Sequence, residues 1–193
     1  MPRSEKELLS DMAAFDGRRS RRKFAPLSET SLGALLWHTS RTQNSKRSPL
    51  GFDIEQRPAP SAGAIHPIHI LVLRENTKMW ARYNPVPHAL EPLGTISERL
   101  NPFVQECNSI VPIESGDLLL YVAEPGKTAA KYAYSESLVW RDAGTLQGIM
   151  AIASEVLGLN FCLLGVTGEP WVSALDQEGK LRGVGAAILG ARS

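Results

Sequence analysis

The sequence predicts a single α+β domain over residues 1–193, with a mixed or antiparallel central sheet flanked by helices and built around one long buried helix. The stretch Arg141–Leu159 has helical spacing of Leu146, Ile149, Met150, Ala153 and Val156 and no charge between Ala143 and Ser154, so it lacks the polar stripe of a surface helix. Strand-like runs stand singly among helices, with one hairpin, rather than in regular βαβ repeats. At 193 residues and 43% hydrophobic content the chain is long enough for one core and short for two.

Taken in order, Ser4–Phe15 reads as an amphipathic helix, with Leu8, Leu9, Met12 and Phe15 on one side. Arg18–Phe24, RRSRRKF, is the densest positive charge. Its residue types suit either a solvated basic turn or a phosphate site, where planar guanidiniums and a serine hydroxyl meet several oxygens together. Ser28–Trp37 is a helix capped by Ser28, and Thr39–Gln56 is polar and irregular, as in a surface loop.

Arg57–Pro67, RPAPSAGAIHP, leads into the strand Ile68–Leu73; its prolines, Gly63 and small residues suit an ordinary loop or a backbone cradle for a ligand. Met79–Asn84 and His88–Leu93 form a hairpin across Pro85-Val86-Pro87. Ile96–Gln105 is helical, Asp117–Val122 a buried strand and Lys127–Val139 a helix joined closely to the central one, which Asp142 caps and Gly158 ends. Asn160–Gly165 and Val184–Leu189 are the last strands, with a short helix over Pro170–Leu175 between them.

Composition narrows the function. A net charge of +1 gives no general electrostatic reason to bind nucleic acid. Cys107 and Cys162 fit neither a CxxC pair nor a metal cluster, no apolar run reaches membrane-spanning length, and the first residues lack a signal peptide's apolar core. These features point to a cytoplasmic protein without a membrane partner.

Near-motifs fail on chemistry. Gly126-Lys127-Thr128 resembles the end of a P-loop, but Tyr121 holds the earlier glycine position. Ala59-Pro60-Ser61-Ala62-Gly63 lacks the first glycine of a nucleophile elbow and precedes a strand. Gly183-Val184-Gly185 has Ile188 at its third glycine position and no room for the following helix. His66 and His69 enter a strand on opposite faces, so they make a poor metal pair, and no metal site is expected.

In order and spacing, RRSRRKF, LLWHTS, RPAPSAGAIHPIHILVL, RYNPVPHALEPL, KYAY, DAGTLQGIMAIASEVLGLNFCLLG and AAILGAR resemble the nitroreductase superfamily, and most closely its SagB-type branch, which includes azoline oxidases. That resemblance implies a sandwich fold and an intertwined homodimer with FMN at the subunit interface. It assigns Arg18, Arg19, Ser20 and Arg22 to the flavin phosphate and ribityl chain, with Arg192 completing the phosphate site. Pro60, Ser61 and Gly63 match the segment lying against the flavin ring from the partner subunit, and Leu164 and Gly165 the loop approaching its reactive edge. Lys131 and Tyr132 match the catalytic pair assigned to proton removal and positioning, although an exposed helix lysine and a packing aromatic are their plain alternatives. The chain departs from the branch at Thr145, where histidine is common, at His66, where tyrosine is common, and at Ser135–Leu138, where arginines are common.

The expected activity is hydride transfer between flavin N5 and a small-molecule or modified-peptide substrate. Alternatives are a general nitroreductase or quinone reductase, with NAD(P)H as transient electron donor, and a non-catalytic flavin-binding or scaffold partner in a biosynthetic complex.

Overall fold

The computed structural model describes residues 12–176 and 178–192. Residues 12–17 are helical, so the helix expected over Ser4–Phe15 lies mostly outside the described residues. Next come α1 (Glu29–Ser40), β1 (Asn44–Lys46), β2 (Ile54–Gln56), a 3-10 turn (Ala62–Ala64), β3 (Ile68–Leu73), β4 (Trp80–Asn84) and β5 (Ala89–Pro92). A 3-10 segment (Gly94–Leu100) runs into α2 (Asn101–Ile110), followed by β6 (Asp117–Ala123), α3 (Pro125–Ala129), α4 (Ser135–Val156), β7 (Leu159–Leu164), α5 (Glu169–Leu175) and β8 (Arg182–Ala191).

The main sheet has the order β5-β4-β3-β6-β8-β7, and every pairing in it is antiparallel. Its middle strand β6 is buried throughout, which is why DLLLYVA shows a continuous apolar run rather than alternation. Leu119, Tyr121 and Ala123 face one core with α1 and α4, through Leu32, Leu35, Leu36, Leu146 and Met150. Leu118, Leu120 and Val122 face a second core with α2 and α5, through Phe103, Cys107 and Val172. This two-sided covering is the sandwich that the sequence predicts.

One buried ion pair fastens the sheet to α1. Arg74 Nε lies 2.9 Å from Asp117 Oδ2, Arg74 Nη2 donates to the Leu27 carbonyl at 3.0 Å, and Asp117 Oδ1 accepts the Glu75 N–H at 2.9 Å. Among the described residues, no helix is long and apolar enough to cross a membrane.

Four sequence expectations change. The Thr39–Gln56 loop contains the β1–β2 hairpin, held at its base by Glu55, which accepts from Thr42 and from Arg57 Nε at 2.9 Å. The helix expected over Lys127–Val139 is broken at residues 130–134, because the Thr128 carbonyl takes the N–H groups of both Lys131 and Tyr132 and closes the turn. The central helix starts at Ser135, so Asp142 sits inside it and caps nothing. That helix is also not wholly buried: Met150 and Ala143 face the core, whereas Trp140, Gly144, Gly148 and Val156, at successive four- or eight-residue steps, are exposed.

Candidate active site

The chain gathers its chemistry at the two ends of α4, each organised by one carboxylate that flanks the uncharged run. Near the first end, Asp142 reaches out to the loop before β3. Its Oδ2 accepts the Ser61 hydroxyl at 2.5 Å, and its two oxygens lie 3.1 and 3.2 Å from the Ala62 N–H. Ser61 Oγ in turn accepts the His66 N–H at 3.0 Å. The loop so held has left-handed backbone at Gly63, Ala64 and His66, with φ of 64°, 58° and 49°. Non-glycine residues seldom take this conformation, and where they do, surrounding contacts must enforce it.

Gly63 brings the predicted pair to this loop. A Cβ placed on it would stand 2.7 Å from both Lys131 Nζ and Tyr132 Oη, so the absence of a side chain is what lets the amine and the phenol approach. Lys131 is exposed and Tyr132 half-buried, with the amine 5.3 Å from the Tyr132 ring centre. Residues distant in sequence, Pro60, Ser61 and Gly63 on one side and Lys131 and Tyr132 on the other, thus form one cluster.

Behind the loop lies a small cavity of about 40 Å³, whose walls include the polar Arg57, His66, His69 and Asp142 and the apolar Ile70 and Leu146. Burial and the Arg57 charge push the His66 pKa down to about 4, which keeps the imidazole neutral at physiological pH. His69 Nε2 contacts Glu124 Oε2 at 3.2 Å; that hydrogen bond, aided by Lys127 and opposed by burial, holds the Glu124 carboxyl down to about 2. On the solvent side, an open groove of about 850 Å³ passes between the α3–α4 region and the approach to β8, lined in part by Gly126, Glu136, Trp140, Glu169 and Lys180.

The other end of α4 carries the basic run. Residues 21–25 lie along the sheet edge, with the Arg21 N–H donating to the Phe161 carbonyl and an isolated bridge between Ala25 and Ala191. Arg21 Nη2 bonds both Glu155 oxygens at 2.9 and 3.0 Å, and Arg192 Nη2 bonds Glu155 Oε1 at 2.7 Å. Burial alone would raise the Glu155 pKa; the two arginines more than offset it and hold the carboxyl below its ordinary range. Arg18, Arg19, Ser20 and Arg22, next to Arg21 in sequence, are exposed, and the Arg22 guanidinium lies against the Cys162 thiol.

The donor set fits a phosphate. Two guanidiniums share one carboxylate, further arginines neighbour Arg21 in sequence, and Arg21 Nε is buried without a hydrogen-bond acceptor among the described residues. Leu164 closes β7 opposite Ala186 and leads to exposed Gly165; nearby, Gln147 Nε2 donates to the Val184 carbonyl at 3.2 Å. Asp142 and Glu155 lie roughly 20 Å apart along the helix axis at about 1.5 Å per residue. The Gly63 loop with Lys131 and Tyr132, and the Arg21–Glu155–Arg192 cluster, therefore stand at opposite ends of α4.

Sequence reasoning missed Asp142 as a loop anchor and Arg21 and Glu155 as a pair. One signal was present: Asp142 and Glu155 are the charges that bound the uncharged stretch of the central helix.

Solved structures share this arrangement of sheet and helices. The nitroreductase homologue from Ralstonia eutropha JMP134 superposes with a TM-score of 0.70 at 21% identity, over 95% of this chain and 83% of its own. The E. coli microcin synthetase McbBCD complex with truncated pro-MccB17 bound gives 0.66 at 19% identity, over 93% of this chain and 73% of the matched one. A nitroreductase homologue from Desulfovibrio desulfuricans, in complex with FMN, gives 0.55 at 19% identity, over 95% and 86%. No curated protein matches the chain in sequence. Similarity at these identities defines the class by its fold, the α+β sandwich of the nitroreductases. The sequence itself matches the nitroreductase family over residues 16–177, and the chain belongs to that family, with the flavin oxidoreductase character that the family has in general.

Proposed function

We propose that the chain is an FMN-dependent oxidoreductase of the SagB, azoline-dehydrogenase-like type, acting as a homodimer on a small-molecule or modified-peptide substrate. The observation that carries this reading is the meeting of Lys131 Nζ and Tyr132 Oη at Gly63, where a proton acceptor and an orienting hydroxyl adjoin the loop assigned to the flavin ring. Its likeness in fold to the microcin synthetase complex, whose structure has truncated pro-MccB17 bound, supports the same branch.

Arg18, Arg19, Ser20, Arg22 and Arg192 hold the phosphate and ribityl chain in this reading, Leu164 and Gly165 border the reactive edge, and Pro60, Ser61 and Gly63 back the ring. When bound, FMN supplies the hydride acceptor or donor at N5. Lys131 takes the proton that the substrate loses, and Tyr132 orients the group that loses it. Lys131 is exposed in the single chain, so in this reading a bound substrate or a second subunit encloses its amine.

The separation of the two clusters along α4 supports the homodimer, in which the arginine cluster of one subunit pairs with the Gly63 loop of the other. The exposed stripe of Trp140, Gly144, Gly148 and Val156 suits close helix packing across such an interface. Sedimentation showing an FMN-loaded monomer at micromolar concentration would count against it.

The exposure of Lys131 favours a second reading, a general NAD(P)H-dependent nitroreductase or quinone reductase, which can draw protons from water. A colourless preparation with no affinity for FMN would leave the scaffold alternative. The deciding variant is Lys131→Ala. It should stay yellow and keep NAD(P)H-driven quinone reduction, while oxidation of an azoline peptide falls by about 10²-fold, the scale of a positioned base. Unchanged azoline oxidation would remove Lys131 from the mechanism.

A further inference from the structure

Building on the flavin reading above, we propose that Asp142 is a positioning residue that fixes Lys131 and Tyr132 through the Ser61–His66 loop. Its carboxylate is buried and lies within α4, where it is not needed as a cap. Among the described residues it has no salt-bridge partner; its oxygens accept from the Ser61 hydroxyl and the Ala62 N–H. A buried carboxylate aimed at a loop this way defines where that loop sits relative to the helix.

The bonding also reassigns Ser61. Its one hydroxyl proton goes to Asp142, while its oxygen accepts the His66 N–H. Ser61 therefore has no proton left to donate to a flavin, and it acts as the brace between anchor and loop. Between these two bonds lie the left-handed residues Gly63 and Ala64, with His66 at the far bond. Strained backbone of this kind persists only where neighbours enforce it, and the Asp142–Ser61–His66 chain supplies that enforcement. Gly63, held at the apex, abuts both the Lys131 amine and the Tyr132 hydroxyl. Movement of the loop moves the backing of the catalytic pair.

The test uses Asp142→Asn and Ser61→Ala, first in the full chain without added flavin. By NMR, the wild-type Ala62 and His66 amides should exchange slowly, and Gly63 Hα should show a contact to the Tyr132 ring. Each variant should speed exchange at those amides about tenfold, the scale of one charge-assisted hydrogen bond. The Gly63–Tyr132 contact should weaken while β6 amides keep their protection. Unchanged exchange and an unchanged contact in Ser61→Ala, which removes the brace without disturbing α4, would overturn the proposal even if Asp142→Asn fails to fold.

In the FMN-loaded protein, with a synthetic peptide carrying one thiazoline as probe, both variants should lower the maximal oxidation rate about tenfold. KM should stay within about twofold, FMN affinity should stay within about twofold in Asp142→Asn, and the double variant should be no slower than either single one, because both cut the same link. Additive losses, or a loss in FMN affinity alone in Asp142→Asn, would overturn the positioning role. A wild-type protein that binds FMN but leaves the thiazoline intact counts against the azoline reading only, since the flavin-free experiment still decides the role of Asp142.

Discussion

A methyl group at position 63 is the smallest change that should separate flavin binding from proton handling. Gly63 has φ 64°, and an added Cβ would meet Lys131 Nζ and Tyr132 Oη at 2.7 Å and Lys131 Cδ at 3.3 Å. The left-handed backbone costs an alanine about 1–2 kcal/mol. Relief of the contacts adds little energy because both neighbours end flexible side chains, but it displaces the amine and the hydroxyl by about 1 Å, enough to cost roughly 10²-fold in a reaction that needs near-attack geometry. Gly63→Ala should therefore lose about 1–2 kcal/mol in chemical denaturation, keep its FMN and oxidise a thiazoline peptide about 10²-fold more slowly. Gly51→Ala is the control: φ is positive there too, at 89°, but nothing lies within 4 Å. It should show a similar loss of stability and a wild-type rate. Equal rates for Gly63→Ala and wild type, or an equal loss of rate in both variants, would refute the reasoning.

Arg192→Ala should weaken FMN about ten- to a hundredfold in a fluorescence titration, as expected for about 1.5–3 kcal/mol from one charge-assisted hydrogen bond; unchanged affinity would remove Arg192 from the phosphate site. Arg74→Met leaves Asp117 buried without its cation and should destabilise the fold by about 3–5 kcal/mol, whereas replacing both partners with apolar residues should recover much of the loss, as urea denaturation will show. His66, pushed down to about 4 by burial and then by Arg57, is neutral in the fold while the unfolded chain binds a proton below 6.5. Stability therefore falls as pH drops from about 6.5 to about 4. His66→Asn, a residue that tolerates left-handed backbone, should flatten that limb in denaturation series across pH, and an unaltered limb would show that His66 does not set it.

The sheet was legible in the sequence because burial writes itself into composition. β3 and β6 appear as apolar runs, and the central helix as a stretch without charge. The short β1–β2 hairpin was not, since Asn44–Lys46 and Ile54–Gln56 carry little apolar pattern and are held by Glu55, Thr42 and Arg57 instead. The turn carrying Lys131 and Tyr132 was hidden for the opposite reason: LysThrAlaAlaLysTyrAlaTyr favours helix locally, and its break is visible only with the buried Thr128 and the Gly63 loop in view. Asp142 followed by small residues has the look of a cap, but its partner is Ser61, far upstream, and no local rule connects them. The arginine cluster was legible as a basic run, while the carboxylate that orders Arg21 and Arg192, Glu155, emerges only when distant parts of the chain are brought together.

The rigid spacing along α4 also has a genetic consequence. If each site takes its arginines from one subunit and its Gly63 loop with Lys131 from the other, a chain damaged at Arg192 and a chain damaged at Lys131 are not equivalent cripples. In a hybrid of the two, one site collects both lesions and the other collects none. Two inactive proteins, unfolded and refolded together, would then recover activity that neither has alone, and alleles of the two kinds would complement one another in a cell that expresses both.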